Sequence, residues 1–383
     1  MPRAMRHSAP PAAAAPRRAL LKVAAALTTV LHCPGGSSRA HAASAAASSS
    51  IDVPLSLCGG AYCLGYSIEG QRFRAVVDTG SPFLLADGTC GAGGRGRWGC
   101  YRGEAILAGL ADSELSFAGQ NVLVQWRRGE LALDATESSG LTPEPHSPPL
   151  RVADATFGIV RGSQRTSGSA DEAIFFGLVK ERGPRLGRYP TFLEQTSIVS
   201  MRFNFLQRRM RLSTLPLLDP NLDAVPIVDL RVPPMRAPDL KYACKLSRIV
   251  VNGREVVLDA PAVAVIDTGN TGLTVSRELY ESYPQLCDER AATVRLELPT
   301  ERGGVCALEA SVRRRRPAAG GIPSYEGDMA APEFDEFGLV VSPVPIRWGS
   351  GKGGTPYVLF VGLAFLWQRQ LTIDVDARRL TIE

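Results

Sequence analysis

From residue 51 onward the chain is a succession of short segments in which apolar side chains alternate with polar ones or run together, each closed by turn residues. The clearest span 64–68, 73–77, 122–126, 198–205, 249–257, 262–266, 294–298, 357–361 and 371–375. A two-residue period over such lengths is the signature of strands. The helical period is confined to two short stretches, 276–283 and 190–196. Many strands with few helices between them predict an all-β architecture rather than βαβ units. The 38 glycines and 28 prolines agree with frequent turns.

A chain of 383 residues is long enough for two cores. A proline-rich stretch at 215–238 (Pro216, Pro220, Pro226, Pro233, Pro234, Pro238) is the natural crossing between them. This divides the body into residues 51–214 and 239–383. Each half contains one copy of a short repeat: Arg74-Ala75-Val76-Val77-Asp78-Thr79-Gly80-Ser81 in the first and Ala262-Val263-Ala264-Val265-Ile266-Asp267-Thr268-Gly269-Asn270 in the second. Both are apolar strands running into Asp-Thr-Gly, 189 residues apart.

One Asp-Thr-Gly triplet means little, whereas two copies in the same context, one per half, call for a common cause. The glycine lets the chain turn sharply and leaves the carboxylate at the tip of a tight loop, and the threonine hydroxyl can brace an opposing loop. Two such loops facing each other bring Asp78 and Asp267 together. Carboxylates that close cannot both ionise and so share one proton. The ionised member can then take a proton from water while the protonated member donates to a carbonyl. No metal or cofactor is required. His146 is the only histidine outside the first 42 residues, so a Ser-His-Asp relay or a histidine-ligated metal has almost no material.

The formal charge of +5 is concentrated at the N-terminus. Residues 1–42 hold six of the 43 basic residues and no acidic one, which leaves 37 basic against 38 acidic in the remainder. A nearly neutral body has no general field for nucleic acid or an anionic membrane. The basic run Arg313 to Arg316, beside a Pro/Gly-rich stretch, reads as a solvated loop. Residues 1–42 read as a targeting segment: Arg17-Arg18, a 13-residue apolar run too short to span a bilayer, then Ala40-His41-Ala42 as a small-x-small cleavage site. The twin arginine within a long Arg/Ala/Ser leader suggests a bipartite plastid address to the thylakoid lumen; a secretory signal is the alternative. Either way no stable membrane anchor is expected in the mature form. Residues 43–50 are a flexible Ala/Ser lead-in. Seven cysteines lie beyond the leader, at 58, 63, 90, 100, 244, 287 and 306, without zinc-site spacing; near neighbours suit small disulfide loops.

With these residues in view, the sequence resembles the pepsin-like aspartic proteases over most of 51–383. Tyr62 to Ile68 and Phe73 to Ser81 are similar to the family's first strand pair and catalytic loop. Gly129, Leu131 and Asp134 are similar to the strand returning from the flap. Phe157-Gly158-Ile159-Val160 and Leu359 to Leu366 resemble the segments that support the two loops, and 371–376 the final strand. The resemblance implies a bilobal fold of two pseudo-twofold-related β-barrel-like lobes with few short helices. It implies an endopeptidase with Asp78 and Asp267 as catalytic pair, and with Thr79, Gly80, Ser81, Thr268, Gly269 and Asn270 in support. Polypeptide substrates would lie across the cleft against Thr271 and Trp126, and the protein would act as a monomer. It also implies a disulfide between Cys90 and Cys100. Departures are plain: Asn270 replaces the usual Ser or Thr, Leu85 replaces the flap-partner tryptophan, no flap tyrosine is evident, and no long basic prosegment follows the leader. Trp126 either covers the cleft or packs. A catalytically silent homologue that binds peptides or inhibits an enzyme is therefore the alternative function.

Overall fold

Strands form where the alternation places them, and those lying in the middle of a sheet lose the alternation. Thr293–Pro299 buries Val294, Leu296 and Leu298 and exposes Arg295 between them, as expected of a sheet with one wet face. Ala262–Ile266 is buried at every position, because it is flanked by strands on both edges and covered on both faces, which explains its unbroken apolar run.

The computed structural model describes residues 50–58, 60–89, 98–117, 120–133, 149–165, 173–182, 189–287, 293–311, 339–343 and 355–383. The leader, His146, Asp134, Cys90 and the basic run at 313–316 lie outside these. The described residues form an all-β structure of three sheets with eleven, nine and four strands. Their helices are short: Arg277–Ser282, Pro284–Cys287, Leu363–Leu366 and a 3-10 turn at Leu193–Gln195. None is long and apolar enough to cross a membrane.

The nine-stranded sheet draws on residues 56–177 alone, and the four-stranded sheet on 248–311 alone. The eleven-stranded sheet joins the two halves of the chain. Toward one edge of it the hairpin Ser200–Asn204/Arg209–Ser213 lies beside the hairpin Gln370–Asp374/Arg379–Ile382. The inner strands pair antiparallel with Arg202 opposite Thr372, and the Arg202 Nε donates to the Thr372 hydroxyl at 3.1 Å. These hairpins are a second internal repeat. Phe203-Asn204-Phe205-Leu206-Gln207-Arg208-Arg209-Met210 matches Ile373-Asp374-Val375-Asp376-Ala377-Arg378-Arg379-Leu380 in register. Arg208 and Arg378 close the two turns with φ of 52° and 53°, a left-handed conformation uncommon for non-glycine residues. Contacts gather Ala47–Glu383 into one compact unit, as a sheet shared by both halves requires.

Several expectations change in detail. The run at 249–257 is a hairpin rather than one strand: Asn252 and Gly253 take φ of 51° and 76° and turn Arg248–Val251 back onto Arg254–Glu255, the Asn-Gly turn that suits tight hairpins. Val122 and Trp126 belong to a much longer strand, Gln120–Leu133, paired along its length with Leu150–Arg165. The proline-rich crossing is not all connection, since Val225–Val228 pairs with both Ala243–Leu246 and Arg379–Ile382. Cys58 and Cys63 form a disulfide, Cys100 is disulfide-bonded too, and Cys244 and Cys306 are free thiols.

Candidate active site

Each Asp-Thr-Gly loop leaves the end of a buried strand that is held by a parallel neighbour. Gln71–Asp78 pairs with Phe175–Gly177, setting Gly177 opposite Asp78. Ala262–Ile266 pairs with Tyr357–Val361, and the Asp267 amide donates to the Val361 carbonyl at 3.0 Å. Beyond each parallel strand the chain packs under the loop. Gly177 donates to Phe83 O and Leu178 to Asp78 O; Gly362 donates to Gly272 O and Leu363 to Asn270 O, all within 3.0 Å.

The support of the second loop thus falls within the segment the sequence pointed to, Leu359 to Leu366. That of the first does not. Phe157-Gly158-Ile159-Val160 pairs with Leu85–Asp87 and with Trp126 instead, and Phe175 to Val179 takes the supporting place. Both stretches carry Phe-Gly, but Ile174-Phe175-Phe176-Gly177-Leu178 matches Leu359-Phe360-Val361-Gly362-Leu363 better, and that internal match was the available signal.

The loops meet through reciprocal hydrogen bonds. The Thr79 amide donates to the Thr268 hydroxyl oxygen at 3.1 Å, and the Thr268 amide donates to that of Thr79 at 3.0 Å. Each hydroxyl donates in turn to the opposite strand, Thr79 to Ile266 O at 2.8 Å and Thr268 to Val77 O at 2.7 Å. Both threonines are fully enclosed, so these four bonds have no competition from water. Within each loop the glycine amide donates to its own aspartate, Gly80 to Asp78 Oδ1 at 2.7 Å and Gly269 to Asp267 Oδ1 at 3.0 Å.

Each carboxylate rests on the glycine of the other loop. A Cβ at Gly80 would lie 2.5 Å from Asp267 Cγ, and one at Gly269 would lie 2.6 Å from Asp78 Cγ. Only glycine permits that approach. Asp78 is 6% exposed and Asp267 half-buried. Burial of its carboxyl, the Asp78 charge beside it and a hydrogen bond between the two carboxyls push the Asp267 pKa well above the ordinary carboxylate value. The Lys241 ammonium and the Gly269 amide pull the other way, by less than the burial and the Asp78 charge push up. The arrangement can hold one proton between two carboxyls, with an acid and a base side by side.

The remaining expected residues divide. The Ser81 hydroxyl is buried without a hydrogen-bond partner among the described residues. Asn270 turns its amide to Phe360 O at 3.0 Å and accepts from the Thr274 hydroxyl at 3.3 Å, so it braces its own loop instead of orienting Asp267. Thr271 is exposed and donates to Gly60 O at 2.8 Å, tying the second loop to the turn inside the Cys58–Cys63 disulfide. Trp126 packs. It is 1% exposed, stacks on Tyr189, meets Phe83 edge-on, and gives its indole N–H to Ser113 at 2.9 Å. Buried this way it has no surface for a substrate, which corrects its assignment as a binding residue. Trp126 itself belongs to the hairpin of Ser113–Phe117 with Gln120–Leu133, in which Phe117 pairs with Gln120.

Sequence reasoning missed Asp239, Lys241 and Tyr242. The Lys241 ammonium donates to the Gly80 carbonyl and pairs with Asp239 at 3.0 Å. The Tyr242 hydroxyl donates to Leu178 O at 2.6 Å, and its carbonyl accepts from Ile266 N at 3.0 Å. The only signal was a lysine beside apolar residues in Tyr242-Ala243-Cys244, which is weak. No family model matches this sequence, and no curated protein does.

Proposed function

We propose that this protein is an aspartic endopeptidase of the pepsin-like kind. Two lobes related by a pseudo-twofold would each contribute one Asp-Thr-Gly loop to a cleft that takes an extended polypeptide. The observation that carries the reading is the reciprocal bonding of Thr79 and Thr268, which holds the Asp78 and Asp267 carboxyls against each other. The pair of repeated hairpins, with Arg202 opposite Thr372, supports the same twofold.

In this mechanism the pair carries one proton. The ionised oxygen removes a proton from a water between the carboxyls, and the protonated partner donates to the carbonyl of the scissile bond. The tetrahedral intermediate collapses as a proton passes to the leaving nitrogen. The glycine amides at 80 and 269 keep one oxygen of each carboxylate fixed, so little reorganisation is needed. The enzyme would work as a monomer, without cofactor, and the leader would send it to the thylakoid lumen, with the secretory pathway as the alternative. A fluorescent fusion of residues 1–50 separates those destinations.

The test is cleavage of an unfolded protein by the purified chain between pH 3 and 7, beside Asp78→Asn and Asp267→Asn. Turnover by the wild type that disappears in both variants supports the enzyme. One feature favours a second reading, a silent peptide-binding homologue: neither Ser81 nor Asn270 hydrogen-bonds a carboxylate. Peptide binding without turnover at any pH would support it.

A further inference from the structure

Lys241 is 7% exposed and Asp239 1%. Burying an ion pair removes two charges from water, and apolar side chains of similar size commonly serve stability as well. The pair therefore calls for a reason beyond packing, and its position offers one. Asp239 and Lys241 lead into Ala243–Leu246, the strand beside Ala262–Ile266. From there the ammonium reaches across to the Gly80 carbonyl in the first catalytic loop. Gly80 is the residue whose Cβ position lies 2.5 Å from Asp267 Cγ. A neutral donor could hold that carbonyl equally well, so what lysine adds is a full positive charge next to two carboxyls in a poorly solvated place.

We propose that Lys241 is a positioning residue that sets the pH range over which the Asp78–Asp267 pair holds a single proton. Among the described residues the charged groups acting on Asp267 are Asp78 and Lys241, with Asp239 bound to the ammonium. Asp239 pairs with the ammonium at 3.0 Å, and the Gly80 carbonyl fixes it on the dyad side of the pair. A positive charge there favours ionisation of the Asp267 carboxyl, and this opposes the burial and like-charge repulsion that hold its proton on. The single-proton range then lies lower in pH than the two carboxyls alone would place it.

This inference rests on the proteolytic reading, and the experiment keeps the two apart. The pH profile of kcat/KM on an unfolded protein substrate is measured for the wild type, Lys241→Met, Lys241→Arg and the double variant Asp239→Asn/Lys241→Met. The double variant leaves no lone buried aspartate and stands in for Lys241→Met if that protein does not fold. Both limbs are expected to move to higher pH by about one unit when the ammonium is removed, and to stay near the wild-type positions with arginine. A purely structural role would lower kcat without moving the limbs, and limbs that stay put in the methionine variants overturn the proposal. An arginine variant shifted as far as methionine overturns it too. Absence of wild-type turnover sinks the enzyme reading alone, because carboxyl carbon NMR titration of Asp267 in the same proteins still reads whether removing the ammonium raises its titration midpoint.

Discussion

The two Asp-Thr-Gly loops have the same backbone and different surroundings. In both, the aspartate accepts from its glycine amide and the threonine crosses to the other side. Around the first loop, the hydroxyl of Ser81 has no hydrogen-bond partner among the described residues, while a lysine from the second half of the chain grips the Gly80 carbonyl. Around the second, Asn270 is bound into its own loop and Thr271 reaches Gly60 in the first half. The parts that must superpose to bring two carboxyls together are duplicated, and the parts that could make the two carboxyls unequal are not. That is how a symmetric frame can carry an acid and a base made from the same residue type.

The largest effect tests the symmetric part. Asp78→Asn and Asp267→Asn are each expected to lower kcat by about 10³-fold or more, as loss of a proton-transfer group does; a variant that keeps most of its activity breaks the equivalence of the loops. Asp267→Asn has a second consequence. The folded pKa of Asp267 is raised well above the ordinary carboxylate value, so the folded state binds the proton more tightly than the unfolded one. Its contribution favours folding below that ordinary value and is lost as pH rises through the raised value. The variant should therefore gain in Tm relative to wild type toward neutral pH, with the gain vanishing near pH 4. Thermal unfolding across pH checks the sign.

Gly80→Ala and Gly269→Ala come next. Each places a methyl group against the opposing carboxylate, so activity is expected to fall by about 10²-fold through displacement of the dyad, with about 1–3 kcal/mol lost in stability. Kinetics and denaturant unfolding separate the two. Thr79→Val and Thr268→Val leave buried amide and carbonyl groups short of a partner, at about 1–3 kcal/mol each. Equal losses support reciprocity, whereas a loss confined to one side argues for an asymmetric hinge. The smallest effects address the unlike surroundings. Asn270→Ala should cost about 1 kcal/mol by urea unfolding, and Ser81→Ala close to nothing, since its hydroxyl bonds no described residue.

Much of this was readable along the chain. The strands around 62–78, 262–266, 293–299 and 357–361 show as apolar periodicity, because burial on one or both faces acts on each residue locally. The two aspartates show as a repeated triplet at the end of such strands. The hairpin repeat with its Arg208-Arg209 and Arg378-Arg379 turns was equally present, yet too degenerate to see before the two copies were found side by side. Trp126 was ambiguous because an aromatic residue has the same composition signal whether it roofs a cleft or fills a core.

The sequence by itself determined an all-β chain with a duplicated Asp-Thr-Gly motif, since strand period and turn chemistry are written residue by residue. Tertiary structure alone decided that Asn270 faces Phe360 and that Lys241 grips Gly80. Those choices depend on which strands become neighbours across ninety residues or more, and no local periodicity records the pairing.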